Sequence, residues 1–193
     1  MNEVIKNIME RRSTRSFKLE QIKDEDLNAI LTAGAYAPSG MNLQLWKFTA
    51  IKNAEILKAL KKTVRDVYRR LYVHKDEESY IKNHLIKNVA DDYDFMYNAP
   101  TLVILSAPLG AAMGMPDCAA AIENMMLAAT SLGIGSCWIN QIRWLSEQPD
   151  MKAELVKLGI PEEHTVNCSL SLGYTDKPTP LKPRKENVIK IIE

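Results

Sequence analysis

The 193-residue sequence predicts an α+β sandwich. Three observations carry that expectation. Short strand-like runs are separated by stretches of helical period. A helix that is apolar on most faces precedes the third of these runs and must be buried on most faces. No G-x-G-x-x-G follows a strand and no P-loop occurs, which removes the Rossmann and Walker-type phosphate binders. The length suits one domain spanning residues 1–193, without internal repeat, low-complexity segment or linker.

Residues 3–11 predict a short amphipathic helix with Val4, Ile5, Ile8 and Met9 on one face. It delivers Arg11-Arg12-Ser13-Thr14-Arg15-Ser16 at its C-terminal end. Taken alone, that cluster is a solvated basic turn or a phosphate cradle. Arg grips phosphate through its planar fork, and hydroxyls fit the remaining oxygens. The negative end of the helix dipole gives an anion no help, so the side chains must supply the charge.

Asp24 is placed to cap a second helix through about Tyr36, which Pro38 ends. The loop Pro38-Ser39-Gly40-Met41-Asn42-Leu43-Gln44 gathers groups suited to a heterocycle's edge, beside a Gly that permits close backbone approach. A strand follows from Trp46 to Ile51, then a long helix over residues 54–73. Residues 74–94 are dense in charge but keep helical spacing; His74 and His84 read as solvated there. Thr101 to Ala107 is continuously apolar, as in a buried central strand.

After a Gly- and Met-rich loop from Leu109 to Pro116, Asp117 is expected to cap a helix from Cys118 to Leu132. A subunit interface is one way to cover its second face. Gly133 to Gly135 ends it, and Ser136 to Ile139 is a short strand that Asn140-Gln141 breaks. Met151 to Leu158 reads as a helix and Val166 to Leu172 as a strand. The tail, Gly173 to Lys185, carries Pro178, Pro180 and Pro183 and reads as an extended wrap. Val188, Ile189, Ile191 and Ile192 are too apolar for a loose end and should pack on the body or a partner.

Bulk composition bounds the function. A hydrophobic share of 46% and a charged share of 25% are ordinary for a globular chain. Net charge of +1 lacks the basic footprint of a general nucleic-acid binder. Cys118, Cys137 and Cys168 form no C-x-x-C, and the three His show no metal-ligand spacing. The odd cysteine count, the absence of a charged-then-apolar leader and the lack of an apolar run of ~20 residues lead us to expect a cytoplasmic protein with no membrane contact.

Four motifs in this order resemble the FMN-dependent nitroreductase family, which includes flavin reductases and dehalogenating relatives. They are Arg11 to Phe17, Ala37 to Trp46, Gly133 to Ile139, and Gly173-Tyr174 through Lys182-Pro183-Arg184. The resemblance covers nearly the whole chain and favours the cradle reading. It implies a central antiparallel sheet flanked by helices in an intertwined homodimer, with FMN at the subunit interface. Arg11 and Ser13 would hold the FMN phosphate, with Arg12 nearby and Lys182 and Arg184 closing from the tail. Arg15 would reach the pyrimidine edge. Pro38, Ser39 and Asn42 of the facing subunit, with Gln44, would contact the ring or ribityl chain. Trp138, Ile139 and Asn140 would lie along the ring, with a backbone N–H around Asn140 directed at N5.

The implied activity is hydride transfer from NADH or NADPH through FMN to nitroaromatics, quinones or similar electron-poor compounds, with ping-pong kinetics. The flavin carries the hard step, so no catalytic triad is required. Residues 65–97 and 109–116 are the expected lids, with Tyr68, Tyr72 and Met113 as candidates to stack on substrate. The alternative is an FMN carrier or sensor with little turnover. A nucleic-acid or anion binder using Arg11 to Arg15 is a third possibility, which the net charge opposes.

Overall fold

The computed structural model describes residues 1–73, 90–177 and 179–193. In chain order the elements are α1 (Glu3–Glu10), α2 (Asp24–Ala35), a single 3₁₀ turn (Gly40–Asn42), β1 (Lys47–Ile51), α3 (Ala54–Val73), β2 (Thr101–Pro108), α4 (Gly114–Ser131), β3 (Gly135–Ile139), α5 (Gln141–Leu145), α6 (Pro149–Lys157) and β4 (His164–Gly173). The strands form one antiparallel sheet of order β1-β2-β4-β3. The α+β class and the antiparallel sheet are as expected. His74, His84 and most of the 74–94 segment lie outside the described residues.

Both faces of the sheet are covered, which is why β2 reads as an unbroken apolar run. Its side chains alternate between two cores. Leu102 and Ile104 join Leu60, Val64 and Val67 of α3, Ile142 and Leu145 of α5, and Met151 and Leu155 of α6. Val103, Leu105 and Ala107 join Leu27 and Ile30 of α2 and Cys118, Ile122, Met125 and Ala129 of α4. The β2–β4 register slips between Leu105 and Ser106: Leu105 faces Cys168, but Ser106 faces Val166, which leaves Asn167 as an extra residue in a bulge.

Helix α4 begins at Gly114, earlier than the sequence suggests. Pro116 is tolerated in the first turn because its missing N–H is one that no helical carbonyl would receive. Asp117 is therefore no cap but a helical residue. Its buried carboxylate accepts the backbone N–H of Gly40 at 3.0 Å. One face of α4 packs on α2 of the same chain. At Gly34 of α2 an added Cβ would sit 2.3 Å from Met125 Cε and 2.9 Å from its Cγ, so a larger residue there would have to displace the buried Met125 side chain. The other flank receives α1, whose Asn7 side chain donates to the Leu127 carbonyl at 2.9 Å. Asp24 likewise does not cap α2; Lys23 is the N-cap, and Asp24 pairs with Lys52.

The chain ends depart most from expectation. Helix α1 buries no residue, and Val4, Ile5, Ile8 and Met9 are exposed. Val188, Ile189, Ile191 and Ile192 do not pack on the body; Ile192 is 84% exposed. Tyr68, a candidate for substrate stacking, is instead buried in the α3 core, edge-on to Tyr93. Tyr72 and Met113 keep exposed side chains.

Burial raises the Cys118 thiol from 9.0 to about 12, and pushes Cys168 higher still. Above pH 9 the unfolded chain loses thiol protons that the folded chain keeps. Stability contributed by these neutral thiols therefore falls as pH rises from about 9 toward 12, by up to ~1.4 kcal/mol per pH unit per group. Urea midpoints should drop between pH 9 and pH 11 in the native protein and drop less in the Cys118→Ala/Cys168→Ala variant. Equal drops would show that the thiols are not the cause.

Candidate functional site

The basic segment is extended because it is stitched to the sheet edge. Arg11 leaves α1 at φ −53°, ψ 132°. The Thr14 N–H then donates to the Ser136 carbonyl at 2.8 Å, and Ser13 bridges Ser136 in parallel register. The Lys18 N–H donates to the Tyr174 carbonyl at 2.8 Å, and the Lys18 ammonium pairs with Asp176 at 2.7 Å. The approach to β3 is close enough to need glycine: a Cβ at Gly135 would lie 2.8 Å from Thr14 Oγ1.

The tail returns to the same place. The Thr179 hydroxyl donates to the Ser13 carbonyl at 3.1 Å, joining two segments 166 residues apart. Arg11, Arg12, Ser13 and Arg15 thereby share a cleft of about 240 Å³ with Thr179, Pro180, Lys182 and Arg184. Five cations from the two ends of the chain line this one cleft. Thr179 is the member that motif reading missed; the signal was a hydroxyl set among the tail prolines.

The five cations are not equally free. Arg11 Nε lies 3.4 Å from the Glu123 carboxylate. Arg12 Nη1 donates to the carbonyls of Met9 (2.6 Å) and Arg11 (2.5 Å), closing the negative end of α1. Arg12 Nε is buried with no hydrogen-bond partner among the described residues. A buried donor left open in a cationic cleft is what an anion oxygen would satisfy. Arg15 is exposed and makes a 3.4 Å contact to the Ser13 carbonyl. The positive field of Arg15 and Arg11 reaches β3: burial raises the Cys137 thiol, and these two guanidiniums pull it back.

Trp138 and Ile139 continue along β3 from the Ser136 anchor, and Asn140 follows as the N-cap of α5. At ~3.3 Å per residue, Asn140 lies roughly 13 Å from that anchor. The Ile139 side chain is turned into the α3 core, which leaves its backbone as the part available on the other side. The Trp138 indole N–H donates to Asn140 Oδ1 at 2.8 Å, fixing the turn before α5. Gln141, which breaks the strand, donates to the Tyr93 hydroxyl at 3.0 Å.

Pro38, Ser39, Asn42 and Gln44 do not line the cationic cleft of their own chain. They form an exposed loop with left-handed φ at Met41, Asn42 and Gln44 (52°, 56° and 50°). Ser39 Oγ accepts the Gln44 N–H at 3.1 Å, and Gln44 Nε2 donates to Asn42 Oδ1 at 3.0 Å. Tyr36, Met41, Leu43 and Leu45 around it are exposed. Among the described residues, no group of three or more His, Cys, Asp or Glu could hold a metal ion, and no helix is long and apolar enough to cross a membrane.

The model of the Nitroreductase family matches residues 8–174. A crystal structure of a nitroreductase with bound FMN from Bacteroides fragilis superposes with a TM-score of 0.89 at 43% identity, covering 100% of both chains. An Archaeoglobus fulgidus protein named "Putative NADH dehydrogenase/NAD(P)H nitroreductase" is 34% identical over 90% of this chain and 86% of its own. An iodotyrosine deiodinase from Thermotoga neapolitana is 27% identical over 93% of this chain and 92% of its own.

Because Thr14 fills the space above Gly135, Gly135→Ala should destabilise the protein by ~1–3 kcal/mol through overpacking. Thermal unfolding measures this. An unchanged midpoint would show that the basic segment is not seated as described.

Proposed function

The chain belongs to the nitroreductase family, and from that premise we propose that it is an FMN-dependent oxidoreductase. In this reading it passes hydride from NADH or NADPH to nitroaromatics, quinones or similarly electron-poor compounds. One observation carries the reading: Arg11, Arg12 and Arg15 share a cleft with Lys182 and Arg184, and the open Arg12 Nε faces no partner there.

Arg11 and Ser13 would hold the phosphate with Arg12 beside them, and the tail would close over it with Lys182 and Arg184. Such charge-assisted contacts are the strong kind. Arg15 would sit at the pyrimidine edge, where a fixed cation stabilises the negative charge that develops on reduction. The backbone of Trp138, Ile139 and Asn140 would run along the ring, with an N–H near Asn140 directed at N5. When bound, the flavin supplies the two-electron hydride chemistry. The residues bind, orient and exclude water, and donor and acceptor take turns in one slot, giving ping-pong kinetics.

The functional unit in this reading is a homodimer. The α1 face, the Val188 to Ile192 end and the patch around Tyr36 and Met41 each leave large apolar side chains exposed, and exposed apolar patches mark interaction surfaces. A second copy would cover them and bring Pro38, Ser39, Asn42 and Gln44 to the cofactor. The likeness to the Thermotoga deiodinase favours a second reading in which the same site performs reductive dehalogenation. Bleaching kinetics separate the readings. Rapid loss of the yellow flavin absorbance with NADH or NADPH supports the first, and failure with both donors opposes it.

Arg11→Ala with Arg184→Ala should weaken FMN retention at least tenfold, since charge-assisted hydrogen bonds contribute ~1.5–3 kcal/mol each. Quenching of flavin fluorescence on titration reads the affinity, and an unchanged value would remove the phosphate from this cleft. Ile189→Asp with Ile192→Asp should shift the protein toward monomer in sedimentation velocity. A monomeric wild-type protein would dismiss the two-copy reading.

A further inference from the structure

We infer that Asp117 is a positioning residue for the cofactor site, holding the loop 38–44 in its working shape through the backbone of Gly40. The inference rests on the reading of that loop as part of the site. It assigns a role to a residue that does not line the cationic cleft.

The loop is held in a costly conformation. Three non-glycine residues, Met41, Asn42 and Gln44, lie in the left-handed region within four positions. Such residues persist only where the surroundings over-determine them. The loop's own hydrogen bonds are short-range: Asn42 N–H to Ser39 O (2.9 Å), Leu43 N–H to Gly40 O (3.1 Å), Gln44 N–H to Ser39 Oγ, and Gln44 to Asn42. They set its internal shape but do not place it on the protein.

Asp117 does place it. The carboxylate is 6% exposed, and Oδ1 accepts the Gly40 N–H at 3.0 Å across 77 residues of sequence. It projects from the first turns of α4, a rigid helix buried against the sheet and α2. The contact surface beside it is equally tight: a Cβ on Gly40 would lie 2.7 Å from Met113 Cγ. Gly40 is therefore seated between the Asp117 carboxylate and Met113, the residue that leads into α4. Ser39 and Asn42, which would meet the cofactor, flank that seat. An ionised acceptor makes the stronger kind of hydrogen bond to an amide. A carboxylate near the helix N-terminus is also favoured by the dipole.

The test uses the full-length apoprotein first, so that it does not depend on turnover. In the wild type, the Gly40 amide should exchange with deuterium at least ~100-fold more slowly than the exposed Met41 amide; equal rates overturn the inference. Asp117→Ala and Asp117→Ser should raise exchange in the 38–45 peptide and leave the α2 and sheet peptides unchanged. Asp117→Asn keeps an acceptor oxygen in the same place and should restore protection. FMN affinity by fluorescence quenching should fall about tenfold in the Ala and Ser variants and stay within threefold in Asn. Wild-type affinity in Asp117→Ala overturns the inference, as does a general rise of exchange across α2 and α4, which marks Asp117 as core support only. If the wild-type protein takes up no FMN, the proposed function fails, while the exchange measurements still judge the tether.

Discussion

Mutual repulsion among five cations is the constraint on which the site depends. Two unit charges ~8 Å apart cost about 2 kcal/mol at an effective dielectric near 20. Arg11, Arg12, Arg15, Lys182 and Arg184 nevertheless share one cleft. The backbone holds them there. Thr14 is fastened to Ser136, Lys18 to Tyr174, and Thr179 to Ser13. Glu123 offsets part of the charge, and the α1 carbonyls take up part of Arg12. What remains is a net positive cleft whose charges are fixed in place by the backbone.

The same logic operates in the loop at Pro38 to Gln44, with strain in place of charge. Three left-handed residues are kept by internal hydrogen bonds and by a buried carboxylate on α4. Both devices rely on the two-sided sheet. With β2 buried between the α3 core and the α2–α4 core, β3 cannot shift without disturbing packing on both faces, and α4 cannot shift without disturbing the face it covers. The site is thus built from irregular segments clamped onto the most regular part of the molecule.

The two ends of the chain work differently from the core. Helix α1 is strongly amphipathic, yet its apolar face meets no core. The last residues carry four branched apolar side chains in the open. Neither segment is stabilised by its own packing in one chain. The loop around Met41 exposes apolar side chains in the same way.

Much of this was legible in the order of residues. The 3.6-residue stripe of α3, the continuous apolar run of β2 and the basic hexapeptide are local patterns, and local pattern is what periodicity reports. The class of fold and the candidate anion-binding side chains follow from them. Several features required the folded chain. The start of α4 at Gly114 is hidden in the sequence because a proline reads as an ending, although it is harmless in a first turn. The roles of Asp117, Thr179, Glu123 and Gly135 stayed hidden because each depends on a partner 77 to 166 residues away, or on a clearance that no window of sequence contains. Sequence by itself determined which groups were available and which segments were regular. Tertiary structure alone decided which distant groups meet, because those contacts arise only when two segments are laid across the same sheet.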